Sequence, residues 1–174
     1  YLRPEAYTAR TRCRLTYARD VIRVEYFPYH VRPVHSLQLV VQDDIDYRYK
    51  QADRRVLDEA FALRDTADDV LIVRHGLLTD TSIANIALWD GSEWYTPAQP
   101  LLAGTQRRYL LDTGQIKETD IPVASLGNYR HIRLFNALIP SAKWNSPSGR
   151  YVCTDSCGRL FHQLVTADLN RMSR

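Results

Sequence analysis

Two alternating runs meet at Asp90-Gly91, with Ile83 to Trp89 leading in and Glu93-Trp94-Tyr95 leading out to Thr96-Pro97. An Asp-Gly pair between apolar alternating segments specifies a chain reversal, because glycine accepts the backbone angles that a tight hairpin demands. The same period of two recurs along the chain. Arg12 to Tyr17 and Val21 to Tyr29 alternate and are rich in β-branched and aromatic residues, and Ala18-Arg19-Asp20 makes the turn between them. His35 to Val41 alternates, Asp69 to Arg74 reads as a short apolar strand, and His75-Gly76 turns the chain into extended Leu77-Leu78. His131 to Leu138 reads as a last strand, and Asp43 to Tyr49 is expected to run extended into Lys50.

Helical spacing occurs in two places. Asp53 is the expected N-cap of a helix whose apolar stripe is Val56, Leu57, Ala60, Phe61 and Leu63. A second helix runs from Gly104 through Tyr109, Leu110 and Leu111, with Gly114 as its C-terminal cap. The stretch from Ser141 has no clear period before a short helix predicted around Phe161 to Leu169. Hairpins outnumber helical crossovers, so the predicted class is α/β in the broad α+β sense, with a mostly antiparallel or mixed sheet.

Composition removes several function classes. The 174 residues carry a formal charge of only +3, from 23 basic and 20 acidic side chains. The basic residues form no block, so no nucleic-acid partner is expected. No run approaches the roughly 18 apolar residues of a membrane helix, and no signal-like segment opens the chain, so no membrane association is expected. Three cysteines, Cys13, Cys153 and Cys157, are too few and too uneven for a disulfide framework and suit a reducing cytoplasm. Cys153, Cys157 and His162 lack a nameable fourth ligand, so no metal site is expected.

Chemistry is sought first at the lysines, because an amine becomes a usable nucleophile where desolvation disfavours its ammonium form. There are three: Lys117 in a polar connection, Lys143 in the irregular tail, and Lys50 where an extended segment carrying Tyr47 and Tyr49 meets a helix. Three later segments add polar groups. Gly76 to Ile86 places Asp80 and an Asn just before a strand, and Leu101 to Arg107 opens a helix with Gly104. Phe135 to Pro140 closes the last strand with Asn136. A helix start of that kind offers unpaired N–H groups and a positive dipole end to a phosphate.

Taken in order from about Tyr47 to Pro140, these segments resemble aminotransferase class IV, the fold-type IV pyridoxal-phosphate enzymes. The resemblance implies pyridoxal 5'-phosphate as cofactor, carried by Lys50, with Asp80 facing the pyridine nitrogen where the family more often has Glu. It implies phosphate binding by Gly104, Thr105 and Gln106, a site role for Asn136, a small-molecule amino substrate and a homodimer. Lys50-Gln51-Ala52-Asp53-Arg54 and Asn136 to Pro140 look closest to the aminodeoxychorismate lyase branch, which eliminates pyruvate to give 4-aminobenzoate. An amino-acid aminotransferase, or a non-catalytic domain serving in assembly, are the other two readings. The expected organisation is a remnant of the N-terminal region and interdomain strands over residues 1–46, the cofactor-binding domain over 47–140, and an unassigned tail over 141–174. The family's small N-terminal domain would then be largely absent, and none of Arg3, Arg10 or Arg12 can be assigned to the cofactor's phosphate.

Overall fold

The computed structural model describes residues 6–139, 152–154 and 160–161. The chain divides into two units, residues 1–33 and 34–174. In the first unit, β1 (Thr11–Tyr17) and β2 (Val21–Pro28) form an antiparallel hairpin closed by residues 18–20, as the alternation predicts. Directly opposed Arg14 and Glu25 make an ion pair of 2.6 Å, and the guanidinium groups of Arg12 and Arg14 lie over the Phe27 ring.

The second unit holds two mixed sheets. One has the order β11-β10-β3-β4-β5 and contains β3 (Ser36–Val41), β4 (Asp69–Arg74), β5 (Leu77–Thr81), β10 (Val152–Thr154) and β11 (Leu160–Phe161). The other has the order β8-β7-β6-β9 and contains β6 (Asn85–Trp89), β7 (Trp94–Pro97), β8 (Lys117–Thr119) and β9 (His131–Phe135). Each helix sits in a parallel crossover, α1 (Arg55–Ala62) between β3 and β4 and α2 (Thr105–Asp112) between β7 and β8. Parallel neighbours need such long connections, whereas hairpins serve the antiparallel pairs β4–β5 and β6–β7.

Burial explains the strand sequences. Leu71 and Val73 of β4 join Leu37, Leu39, Leu78, Ile86, Leu88, Ile132 and Leu134 in the core shared by the two sheets. Val70 and Ile72 of the same strand face the other way, onto Leu57 and Ala60 of α1 with Ile45, Tyr47 and Leu101. A strand covered on both faces needs apolar residues at every position, which is why β4 shows no alternation. Leu110 of α2 packs with Ala87, Trp94, Ile116 and Phe135 on the outer face of the second sheet. Trp94 is therefore core, while Trp89 and Tyr95 are half-buried. No helix among the described residues is long and apolar enough to cross a membrane.

Several local expectations shift. The helix after Lys50 begins at Arg55, although the Asp53 carboxylate still accepts the Arg55 N–H at 3.0 Å. Of its stripe, Leu57 and Ala60 are buried, whereas Val56 and Leu63 are exposed. Asp43 to Tyr49 is not a strand: Asp43-Asp44 turns, and Ile45 and Tyr47 dip into the core. Lys117 lies on β8 rather than in a connection, ion-paired to Glu93 at 2.6 Å. The Asp90-Gly91 hairpin forms with a four-residue loop closing at Trp89 and Trp94. The Asp90 carboxylate accepts the N–H groups of Ser92 and Glu93, which widens the reversal beyond a two-residue turn. Gly114 follows α2 at φ +66, the left-handed conformation predicted for its cap. The helix expected around 161–169, Lys143 and the side chains of Cys153, Cys157 and His162 lie outside the described residues.

Leu88 is fully buried between the sheets. Leu88→Ala should cost about 2–5 kcal/mol in urea unfolding, the range for a truncated core leucine, and a loss below about 1 kcal/mol would mean that the inter-sheet core is not close-packed.

Candidate cofactor site

Thr81 starts the local architecture. Its hydroxyl accepts the N–H groups of Ile83 (3.3 Å) and Ala84 (3.1 Å), and its own N–H donates to Ala84 O at 3.0 Å. This tight reversal from β5 to β6 brings Asn85 back over Asp80. Both are buried, at 5% and 4% exposure. The Asn85 Nδ2 group donates to Asp80 Oδ1 at 2.9 Å and to Leu102 O at 2.8 Å, and Leu102 N–H donates to Asp80 Oδ2 at 3.0 Å. A β-strand carboxylate, a neighbouring amide and the loop before α2 thus form one hydrogen-bonded unit.

Burial pushes the Asp80 carboxyl up to about 6. The Leu102 N–H, the Asn85 amide and the charge of Arg107 oppose that shift and offset only part of it. Arg107 is itself buried on α2, where its Nη2 donates to Pro97 O at 2.8 Å and to Glu118 at 2.7 Å. Its Nε has no hydrogen-bond partner.

Gly104 precedes α2 in an extended conformation that any residue could adopt, φ −68 and ψ 147. The requirement for glycine there is spatial: a Cβ on Gly104 would overlap Asn85 Oδ1. No side chain caps α2, so its first N–H groups, including those of Thr105 and Gln106, have no intrahelical acceptor and stand at the positive end of the helix. Thr105 is exposed and Gln106 half-buried.

Asn136 follows β9. Its Nδ2 donates to Ile83 O at 3.0 Å, and its Oδ1 accepts the N–H groups of Leu138 (2.8 Å) and Ile139 (2.9 Å). It ties the end of β9 to the β5–β6 reversal.

Lys50 is exposed. It lies on a strap held at both ends. Tyr47 is buried in the cluster that includes Leu101 and Leu102, and its hydroxyl donates to Gln51 O at 3.2 Å. At the other end, Arg54 Nη2 donates to Ser82 O at 2.8 Å. Leu102 bonds Asp80 directly, and Ser82 is two residues from it. Lys50 is three residues from Tyr47, so its backbone stays within about 10 Å of that anchor.

The structure therefore joins Asp80 to the Gly104 turn by direct bonds and ties the Asn136 segment to the β5–β6 reversal. It holds the Lys50 strap by anchors that reach the same cluster. Sequence reasoning did not assign Asn85, the Leu102 backbone, Arg54 or Arg107. The signal for Asn85 was available, since it is the one amide between Asp80 and the apolar body of β6.

Residues 9–143 match the amino-transferase class IV family. The chain belongs to this family. An uncharacterized protein of Haemophilus influenzae is 39% identical over 127 residues, which cover 73% of this chain and 68% of the relative. A candidate 4-amino-4-deoxychorismate lyase from Haemophilus somnus shares the fold with a TM-score of 0.70 and 36% identity. The match covers 74% of this chain and 66% of that protein. A hypothetical aminotransferase from Mycobacterium tuberculosis, in its PLP-bound form, has a TM-score of 0.56 at 18% identity over 66% of this chain and 50% of that one, and shows the shared fold alone. The mixed α/β architecture is that of the fold-type IV enzymes, and this chain spans about two thirds of the first two class IV proteins.

The raised Asp80 carboxyl links stability to pH. A folded pKa of about 6, above the ordinary 3.8, means that the native state binds this proton more tightly than the unfolded chain. Its stabilising contribution is complete below pH of about 4 and is lost as pH rises through about 6, a change of about 3 kcal/mol. Carboxylates held low by their partners, such as Asp68, act in the opposite direction at lower pH. Urea unfolding of the wild type and Asp80→Asn isolates the Asp80 part. The wild-type stability relative to the variant should fall between pH 4.5 and 7.5, and a flat difference would contradict the assignment.

Proposed function

We propose that this chain provides the cofactor platform of a pyridoxal 5'-phosphate lyase resembling aminodeoxychorismate lyase. In this reading Lys50 carries the cofactor, Asp80 faces the pyridine nitrogen, and Gly104, Thr105 and Gln106 receive the phosphate. Asn136 braces the reversal beneath them. The observation that carries the reading is the buried Asp80 carboxylate, bonded to the same loop that opens α2. An acid there suits a cationic ring N–H, and the uncapped helix start one loop away suits a phosphate.

When bound, the cofactor supplies an electron sink for the carbanion formed at the substrate's amino-bearing carbon. The protein's part is to hold that electronic state in place. The Asp80 carboxylate would hold a protonated ring nitrogen by a charge-assisted bond, and the first-turn N–H groups of α2 would hold the phosphate. The exposed Lys50 would carry the cofactor's aldehyde on its Nζ and would be the base available to the substrate carbon. A lyase is favoured over amino transfer by Lys50 to Arg54 and Asn136 to Pro140, and by the 36% identity to the candidate lyase of Haemophilus somnus.

Reductive trapping tests the cofactor assignment. With pyridoxal 5'-phosphate and borohydride, peptide mapping should place the label on Lys50, and Lys50→Ala should lose at least nine tenths of it. Equal labelling of Lys117 and Lys143 would remove the reading. With aminodeoxychorismate as substrate, release of 4-aminobenzoate and pyruvate supports the lyase. Amino transfer to 2-oxoglutarate would assign an aminotransferase instead.

A further inference from the structure

Asn85 touches Asp80, Leu102 and Gly104 at once. Its Nδ2 has two acceptors, Asp80 Oδ1 and Leu102 O, which fixes the amide orientation and turns Oδ1 toward the bare Cα of Gly104. The side chain is only 5% exposed, so it has little room to rotate away. We propose that Asn85 is the positioning residue of this site, using the space left open at Gly104 to hold the Asp80 carboxylate and the start of α2 at one fixed separation.

A ligand with a ring cation at one end and a phosphate at the other would then meet a preset span. That ligand-facing consequence rests on the proposed function, whereas the coupling from Gly104 through Asn85 to Asp80 is a property of the chain alone. The coupling reaches Asp80 through one side chain. Gly104 bonds no atom of Asp80, yet a methyl group on it must displace the Asn85 amide, which carries the bonds to Asp80 and to Leu102 O. The Leu102 N–H bond to Oδ2, the charge of Arg107 from α2 and the Leu101 backbone N–H also favour the ionised acid. Losing the Asn85 donor therefore raises the Asp80 titration midpoint further.

The test is a carbon-13 NMR titration of the Asp80 carboxyl in the full chain without cofactor. Wild type, Gly104→Ala and Asn85→Ser are compared, with circular dichroism to verify folding. The expected result is a midpoint raised by roughly one unit in both variants, the effect of losing one hydrogen bond to a charged group. If Gly104→Ala does not fold, Asn85→Ser alone decides the matter by the same shift. A folded Gly104→Ala, or failing that Asn85→Ser, with the wild-type midpoint overturns the proposal. No cofactor enters this measurement, so it stands or falls separately from the trapping of Lys50.

Discussion

A buried carboxylate is costly unless donors and nearby positive charge compensate it, and the polar architecture of this chain is arranged around one such group. The Leu102 N–H, the Asn85 amide, the buried Arg107 guanidinium acting through space and the Leu101 N–H all favour the ionised form of Asp80, and its carboxyl is still pushed up to about 6. The incomplete compensation is informative. A purely structural acid gains by being fully paired, whereas the Asp80 oxygens retain acceptor capacity that the proposed role toward a cationic ring would use.

The fold explains why the compensation takes this form. The Thr81 hydroxyl closes the reversal between the two sheets, so Asp80 on one sheet and Asn85 on the other stand together. The loop that leads from β7 to α2 crosses the same place and contributes the Leu102 amide and the Gly104 turn. The parallel crossover β7–α2–β8 thus delivers a helix start to the point where the sheets meet, and α2 itself is anchored by Leu110 beneath β6 and β7. The strap with Lys50 is fastened to this junction by Tyr47 and Arg54 while its amine stays open to solvent.

Much of this was readable from residue order. The Asp90-Gly91 reversal, the uninterrupted apolar β4 and the Gly114 cap carry local chemistry that specifies local structure. What the sequence hid is tertiary. Asp43 to Tyr49 looks extended because its polar and apolar residues alternate, yet Ile45 and Tyr47 turn inward to pack against α1 and Leu101. Lys117 looks like loop because β8 has only three residues and its register comes from pairing with β7. At the site, Asp80 and Gly104 could be singled out by type and position. Asn85 could be noticed as an amide next to Asp80, but its bridging could not be read, because it depends on two contacts made across 5 and 17 residues of chain and on the space beside a glycine.

The central claim is that the Asp80 carboxylate and the first turn of α2 receive the two ends of one ligand. A crystal structure of the full chain with pyridoxal 5'-phosphate tests this directly. The account predicts the ring nitrogen about 2.8 Å from an Asp80 oxygen, with the phosphate on the N–H groups of Thr105 and Gln106. A cofactor bound with its phosphate away from α2, or with its ring nitrogen turned from Asp80, would contradict it.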